Sequence, residues 1–391
     1  MNEERLEQTR AAMADQRLDA LVSRLPENLV MLSGHWPLCG DAFLVFPREG
    51  QATCIVPDTQ EEEAGSELWS ARILVYGHGR VDSDDQSASI RKLLRSLGQT
   101  QGWKRIGVEA SPESVALPGN TAEPRTQGEA SRAMIADSFP GAEIVDAAPM
   151  LDALRETKTG FEAGKTTIAC EIANIGISAF FEEVDVGKSA VELAAAVESA
   201  IMLRGTGYRG ARRVRGFAQV AVGDAETSRG WRPFELTTTR KLESGEIALL
   251  ELAVVADGYW SDRTRARVAG KARPEQLAAH AAIQAAQDAA LASIRAGADA
   301  KTVDAAARSS LAASGLDSQF LHITGHGVGF RYHEPYPMLT PSSADVLRSG
   351  AIVTVEPGVY SPSFGGIRIE DDVLVTEQGY EILAPFPREF V

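Results

Sequence analysis

Five side chains that could bind metal ions follow one another in the C-terminal part of this 391-residue chain. In order, they are Glu251, Asp262, His326, Glu356 and Glu370. Four carboxylates aimed into one cavity would repel one another, and burying them unpaired would be very costly. Divalent cations remove that cost, so the pattern predicts a hydrolytic centre that holds two metal ions. One imidazole and four carboxylates favour Mn2+, with Fe2+, Co2+ or Zn2+ as alternatives.

The sequence around the four carboxylates predicts strands that end or turn close to each of them. In ELAVVADGYWSD, the DG pair signals a hairpin that brings Glu251 and Asp262 onto one side of a sheet. The alternative is a surface hairpin with unpaired acids. Glu356 ends an apolar strand in VTVEPGVY. In GGIRIEDDVLV, alternation with apolar neighbours makes Arg368 and Glu370 face the same way, which indicates either a ligand-orienting arginine or a surface ion pair.

Half of the six histidines lie in the short segment HITGHGVGFRYHEP. They are His322, His326 and His333, with glycines between them that allow close backbone approach or a positive φ. A metal ion binds a neutral imidazole, and a second histidine can transfer protons near neutral pH. A lone histidine would more often be a core residue, but three together indicate a site.

Composition places the chain among ordinary globular proteins, with 44% hydrophobic and 24% charged residues. A net charge of −15 argues against a nucleic-acid partner. The three cysteines have no CxxC spacing, which predicts free thiols in a reducing compartment. The N-terminus lacks the apolar segment of a signal peptide, and no run of about 18 apolar residues predicts a membrane helix. We therefore expect a cytoplasmic protein without a membrane partner.

The elements that position these residues divide into two parts. Up to about residue 150, strand-like and helical segments alternate, which predicts an α/β N-terminal domain. Residues 4 to 16 are predicted as a helix and DALV as the start of a strand. LPENLVMLSGHWP is predicted as a strand that runs into a loop, and DAFLVFPREGQATCIVP as a hairpin.

The second part contains a weak internal repeat, in which a pair of helices twice precedes strands. The predicted helices cover about 163–184 and 189–204 in the first copy, and about 274–296 and 301–314 in the second. Such duplication suits a pseudo-symmetric antiparallel sheet covered by helices, with ligands from both halves meeting at the centre. The alternative is coincidence, because Ala-rich helices resemble one another in any fold.

Together, these motifs resemble those of the pita-bread metallopeptidases, in the branch that contains aminopeptidase P, prolidase and creatinase. The segments that carry the resemblance are LESGEIALLELAVVADGYWSDRTR, HITGHGVGFRYHEP, VEPGVY, GGIRIEDD and, for the N-terminal domain, ENLVMLSGHWP. The resemblance implies an α/β (α+β) protein. It would have a creatinase/prolidase-like N-terminal domain over residues 1–155 and a pita-bread catalytic domain over residues 156–391.

The resemblance also implies how the metal ligands divide between two divalent ions. Asp262 and Glu370 would bridge both ions. Glu251 would hold one of them, while His326 and Glu356 would hold the other. The implied reaction is cleavage of an amide bond next to proline in a small peptide, through a dinuclear metal-activated hydroxide.

Further residues match the family's substrate side. His322, His333 and Glu356 would be catalytic, and Arg368 would contact substrate. The family's fold implies a homodimer. Two alternatives from other classes are a non-peptide C–N hydrolase or lyase, similar to creatinase or ectoine hydrolase, and a non-catalytic binding protein of the same fold.

The chain departs from the family pattern at two positions. Glu251 stands where the first ligand is normally Asp. Proline-directed relatives carry a histidine 17 residues before that ligand, but here Phe234 is at that place and the chain has no histidine between residues 79 and 279. Trp231 and Phe234 would therefore form an apolar, bulky wall of the substrate pocket, which favours an apolar or cationic substrate group.

Overall fold

The computed structural model describes residues 1–79, 85–110, 128–232 and 237–391. The chain divides into two compact units, Met1–Arg155 and Glu156–Val391. Within the described ranges, no helix combines the length and the apolar character that a membrane crossing requires.

The first unit is built on one mixed six-stranded sheet. Its strands are β1 (Ala20–Ser23), β2 (Phe43–Pro47), β3 (Thr53–Pro57), β4 (Arg72–Tyr76), β5 (Arg105–Val108) and β6 (Glu143–Asp146). They lie in the order β4-β3-β2-β1-β5-β6, and β2 runs antiparallel to both of its neighbours while the other neighbouring strands are parallel. The helices are α1 (Glu3–Asp15), α2 (Pro26–Ser33), α3 (Glu61–Glu67), α4 (Gln86–Gln101), α5 (Glu129–Ser138) and α6 (Ala148–Glu156).

The predicted elements of this unit are confirmed with one correction. The helix predicted over residues 4 to 16 is α1, the last three residues of DALV open β1, and the predicted hairpin is β2 and β3. LPENLVMLSGHWP is not a strand, because its segment Pro26–Ser33 forms α2. Proline suits the first turn of a helix, and Gly34 at φ 82° ends it. The run LVML misled the prediction, since a short apolar run can be buried as a helix or as a strand.

The second unit combines five helices with three antiparallel sheets among its described residues. The helices are α7 (Gly160–Glu183), α8 (Ala190–Ala200), α9 (Gly223–Thr227), α10 (Pro274–Ala292) and α11 (Ala300–Ala313). The strands are β7 (Val214–Val222), β8 (Ile247–Ala256), β9 (Tyr259–Val268), β10 (Gly325–Gly327), β11 (Glu334–Leu339), β12 (Ile352–Val355), β13 (Gly358–Ser361), β14 (Gly365–Arg368), β15 (Asp371–Val375) and β16 (Tyr380–Ile382). They form the sheets β7-β8-β9, β11-β10-β12-β15-β16 and β13-β14.

Each of the two helix pairs covers its own part of the strands. α7 and α8 share an apolar core with β7 and β8, in which Leu193 and Leu250 are buried. α10 and α11 share a second core with β12 and β15, in which Ile283 and Val353 are buried. The predicted helix pairs are confirmed, and the strands from both halves meet where the candidate ligands lie.

Candidate metal centre

The first two candidate ligands lie on one hairpin. β8 and β9 are joined at the DG pair, whose φ angles of 49° and 87° suit a type I′ turn. Across the ladder, Glu251 pairs with Thr264 and Asp262 pairs with Ala253. Because side chains alternate between faces, Glu251 and Asp262 lie diagonally on the same face of the sheet. The prediction that the hairpin brings them together is confirmed.

His326 reaches the same cavity from β10. Its Nδ1 lies 2.9 Å from the carbonyl oxygen of Gly327 and donates a hydrogen bond to it, which leaves the lone pair on Nε2. Nε2 lies 3.4 Å from Asp262 Oδ2 and 3.7 Å from Glu356 Oε1. Burial, together with the neighbouring His333, lowers the pKa of His326 well below its usual value. The ring is therefore neutral, as a metal ligand requires.

Glycines on both sides of His326 allow the backbone to approach its neighbours. A Cβ atom at Gly325 would lie 1.9 Å from the carbonyl oxygen of Thr354, and one at Gly327 would lie 2.2 Å from that of Tyr336. Gly329 has φ 143°, which L residues rarely adopt. The role predicted for these glycines is confirmed, since side chains at the first two positions would push β10 away from β11 and β12.

Glu356 and Glu370 enter from the segments that follow β12 and β14. Thr354 Oγ1 donates to Glu356 Oε1 at 3.3 Å, and Thr264 Oγ1 donates to Glu370 Oε2 at 2.6 Å. The backbone N–H of Glu370 also donates to the carbonyl oxygen of Thr264, at 3.2 Å. The second half of the fold is thereby joined to β9, which carries Asp262.

The electrostatics of the cavity fit a site for cations. Burial and the carboxylates of Glu370 and Glu356 raise the pKa of Asp262 well above its usual value. Burial and Glu370 do the same to the pKa of Glu356, and burial raises the pKa of Glu370 to about 7. Asp262 Oδ1 is buried and accepts no hydrogen bond from the described residues. Three overlapping groups, drawn from the five candidate ligands and His333, each have donor atoms within 4.8 Å of one another, so the residues fit divalent metal ions.

Arg368 is the cation that touches these acids in the described part of the chain. Its Nη2 pairs with Glu251 Oε2, and its Nε donates to Thr264 Oγ1 at 2.9 Å and lies 3.8 Å from Glu370 Oε2. The prediction that Arg368 and Glu370 face the same way is confirmed by this distance. Tyr332, which the sequence did not single out, donates its hydroxyl to Glu251 Oε1.

The two other histidines of the motif lie on different sides of the centre. His322 Nε2 lies 2.9 Å from the hydroxyl of Tyr360, and its Nδ1 lies 3.7 Å from Glu356 Oε2. His333 is 35% exposed, and its Nε2 lies 3.9 Å from Asp262 Oδ2. Its ring centroid is 4.3 Å from that of His326. All three histidines therefore border one cavity, with His333 closest to solvent.

Comparison with known proteins identifies the family. The model of metallopeptidase family M24 matches residues 164–377, more than half of the chain, and the creatinase/prolidase N-terminal domain matches residues 5–157. The chain belongs to metallopeptidase family M24. The M24 chain is 28% identical to an Xaa-Pro dipeptidase of Pyrococcus horikoshii over 97% of its own length and 96% of that protein's. It is 29% identical to an Xaa-Pro dipeptidase of Pyrococcus furiosus over 99% of both.

The solved structures agree with this assignment. The crystal structure of the Pyrococcus horikoshii prolidase matches 99% of the M24 chain with a TM-score of 0.79 and 27% identity, and all of that chain is covered. The predicted pita-bread family, the two-part α/β fold and the metal-dependent hydrolase class are therefore confirmed. Divalent metal ions follow from the family and from the ligand groups.

Behind the ligands of the M24 centre lies a buried layer of charges that sequence reasoning missed. Asp372 Oδ2 accepts a hydrogen bond from the backbone N–H of Asp262 at 3.1 Å. Asp371 pairs with Arg263 and, at 2.7 Å, with Arg265. These four charged residues are buried. They hold the backbone of β9 and β15 in place beneath the ligands, and the only sequence signal is the density of charges in SDRTR and IEDD.

The predicted aromatic wall of the M24 site falls partly outside the described residues, since Phe234 is among those that the structure does not describe. Trp231 packs against the core shared by α10 and α11. The guanidinium carbon of Arg232 lies 5.3 Å from the centroid of the Trp231 ring. One face of this ring is thus already paired with a cation. It is Arg232, rather than Trp231, that lines a cavity next to Glu251.

Proposed function

We propose that this chain is a manganese-dependent Xaa-Pro dipeptidase, with residues 1–155 as its N-terminal domain and residues 156–391 as its catalytic domain. One observation carries the proposal: Glu251, Asp262 and Glu370 form one group with donor atoms within 4.8 Å of one another, and His326, Glu356 and Glu370 form a second that shares Glu370. Relatives named Xaa-Pro dipeptidases align with nearly the whole chain, which supports a dipeptide as the substrate.

The ligands would form two groups that share two carboxylates. Asp262 and Glu370 would contact both ions, Glu251 would complete one group, and His326 and Glu356 would complete the other. Divalent ions bound there would activate a water molecule and polarise the carbonyl of the scissile amide. The hard oxygen ligands favour Mn2+ over a softer metal.

We assign proton transfer to Glu356, His322 and His333. Glu356 Oε2 lies 3.7 Å from His322 Nδ1, whose hydrogen points to the carbonyl oxygen of Ile323 at 2.8 Å, so His322 would transfer protons through Nε2. Burial lowers the pKa of His322 to about 4, which keeps its ring neutral and lets Nε2 accept a hydrogen bond from the Tyr360 hydroxyl. His333 is half-exposed at the rim, where it can contact substrate that enters from solvent. The neighbouring Arg368 would bind substrate or orient Glu251.

We also propose a cytoplasmic homodimer. The free state of Cys39, Cys54 and Cys170 supports a reducing compartment. The dimer rests on the family resemblance, and sedimentation of the purified chain tests it. A sedimenting mass of one chain at micromolar concentration would contradict the dimer.

The direct test of the activity is the release of proline from Ala-Pro by purified protein loaded with Mn2+. We expect release that stops when a chelator removes the metal. Glu356→Gln should abolish it, while Glu381→Gln, at an exposed position of β16, should not. Proline release that a chelator does not affect would contradict the proposal. Cleavage of creatine or another small amide, without any cleavage of Ala-Pro, would favour the non-peptide alternative.

A further inference from the structure

A small cavity opens beside the corner of the metal centre that Glu251 occupies. Residues that line it are Gln219 of β7, Leu249 and Glu251 of β8, Arg368 of β14, and Gly230 and Arg232 of the turn after α9. The space open to the centre of a water molecule is about 20 Å3, which is room for roughly one water or one polar group. The cavity therefore suits a single functional group of a ligand that is bound at the metal centre.

Gln219 brings an unused amide to this cavity. It pairs with Glu251 across the ladder between β7 and β8, so both side chains lie on the same face of the sheet. Its Oε1 is buried and has no hydrogen-bond partner among the described residues. Buried polar atoms almost always have a partner. The Oε1 atom therefore has a hydrogen-bonding capacity that no described residue uses.

Arg232 brings a guanidinium to the same place. Its side chain is exposed, and it forms no ion pair with any residue in the described ranges. The turn that carries it is held by Gly230 N–H, which donates to the Thr227 carbonyl at 2.9 Å, and by Arg368 Nη1, which donates to the Gly230 carbonyl at 2.9 Å. Arg368 thereby fixes both Glu251 and the backbone next to Arg232.

The charges around the cavity favour an anion. Glu251 is already paired with Arg368, and among the described residues that line the cavity no second carboxylate offsets the guanidinium of Arg232. A carboxylate is the anion that a planar guanidinium binds best, through parallel hydrogen bonds. The Gln219 amide can turn to present its NH2 group, because nothing in the described chain fixes its orientation.

We propose that Arg232 and Gln219 form a subsite that binds a carboxylate of the substrate. This inference rests on the proposed peptidase function and names two residues that select the substrate. The carboxylate can come from the C-terminus of a dipeptide or from an acidic side chain. The cationic substrate group expected from Trp231 does not suit this side of the site, since Arg232 would repel it.

Steady-state kinetics on Mn2+-loaded protein separate the two sources. Arg232→Ala should raise KM about tenfold to a hundredfold for the bound carboxylate, with a smaller change in kcat. If the C-terminus is bound, the effect appears with Ala-Pro and is absent with Ala-Pro amide. If an acidic side chain is bound, it appears with Glu-Pro and is absent with Ala-Pro. Arg232→Lys should recover part of the loss, and Arg229→Ala, three residues earlier in the same segment, should have no effect.

Calorimetric titration of Glu-Pro into the metal-free protein tests the subsite without turnover. We expect Kd to rise about tenfold or more in Arg232→Ala and in Gln219→Leu, and to stay unchanged in Arg229→Ala. Equal Kd values for all proteins, or no binding to the unaltered chain, would overturn the subsite. Because this measurement needs no cleavage, weaker binding in both variants supports the subsite even if Xaa-Pro hydrolysis is not found.

Discussion

Arg368 and Glu251 form an ion pair at the edge of the metal centre, between β14 and β8. Glu251 is half-buried, whereas the other four candidate ligands are buried. The same guanidinium donates to Thr264 and to the hydroxyl of Tyr360, both at 2.9 Å. The glutamate at this position reaches both the cavity and the arginine, so Arg368 is an internal cation beside this candidate ligand.

Arg368→Gln tests the contribution of this ion pair to stability. Breaking a buried pair leaves an uncompensated charge, so the metal-free protein should lose roughly 3 kcal/mol of unfolding free energy, at the lower end of the usual range because Glu251 is partly solvated. Urea denaturation measures the loss. Arg132→Gln breaks an exposed pair with Glu129 and should cost about 1 kcal/mol or less. Equal losses for the two variants would contradict the role of Arg368.

His326→Ala should abolish activity and lower the metal content while the fold persists. The variant removes the buried imidazole whose Nε2 lies 3.4 Å from Asp262 Oδ2 and 3.7 Å from Glu356 Oε1, and leaves the half-exposed His333, 3.9 Å from Asp262 Oδ2, as the neighbouring imidazole. Elemental analysis measures the metal content, and circular dichroism checks that the fold persists. His280→Ala is the matched control, because that ring stacks on Phe390, 4.7 Å away, and is not among the ligand groups. Full activity in His326→Ala would refute the site.

Buried Glu109 in the first unit predicts a pH dependence of stability that is separate from the metal centre. Burial raises the pKa of Glu109 from 4.5 to about 7. Hydrogen bonds from Asn28 and from the backbone N–H groups of Arg24 and Leu25 lower this pKa, but burial has the larger effect. A raised folded pKa means that this contribution to stability is complete below about pH 4.5 and is lost as the pH rises through about 7.

Glu109→Gln removes that titration. Between pH 5 and 7, the unfolding free energy of the unaltered chain should fall relative to that of the variant by up to about 1.4 kcal/mol per pH unit. Urea denaturation across this range provides the difference. The control is Glu129→Gln at an exposed position of α5, which should run parallel to the unaltered chain. A difference that stays constant with pH would contradict the raised pKa.

Phe234→His restores a histidine 17 residues before Glu251, and this prediction rests on the sequence alone. A positioned proton-transfer group is worth about a hundredfold or more in rate. We therefore expect the unaltered chain to cleave Xaa-Pro dipeptides slowly for its family, and the variant to have kcat/KM at least tenfold higher. Rates on Ala-Pro, measured for both proteins at equal Mn2+ content, provide the test. If the unaltered chain already turns over at rates typical of the family, the histidine is dispensable here.

The convergence of the candidate ligands could be predicted because each stands beside a signal that can be recognised locally. The DG pair sets the register that places Glu251 and Asp262 on one face. The glycines on either side of His326 indicate close backbone contacts through their spacing alone, and both contacts are present. Period-two alternation put Arg368 and Glu370 on one side, even though the strand is interrupted between β14 and β15.

The buried layer of charges behind the candidate ligands could not be predicted, because in the sequence its residues look like a solvated surface. Arg263 and Arg265 stand on either side of Thr264, and Asp371 and Asp372 are adjacent; a half-exposed hairpin could show the same pattern. α7 and α10 pack over strands from the two halves of the second unit, and only this packing buries the charges. Burial then makes their pairing necessary. For the same reason Tyr332 escaped notice, since its hydroxyl finds Glu251 through tertiary contact alone.

Anomalous diffraction from a crystal soaked in excess Mn2+ tests the central claim most directly. Two peaks should appear roughly 3.5–4 Å apart, as in other two-metal hydrolases. Asp262 and Glu370 should contact both peaks, with Glu251 on one and His326 and Glu356 on the other. A single peak, or none, with Glu251 turned away towards Arg368, would contradict the two-metal centre.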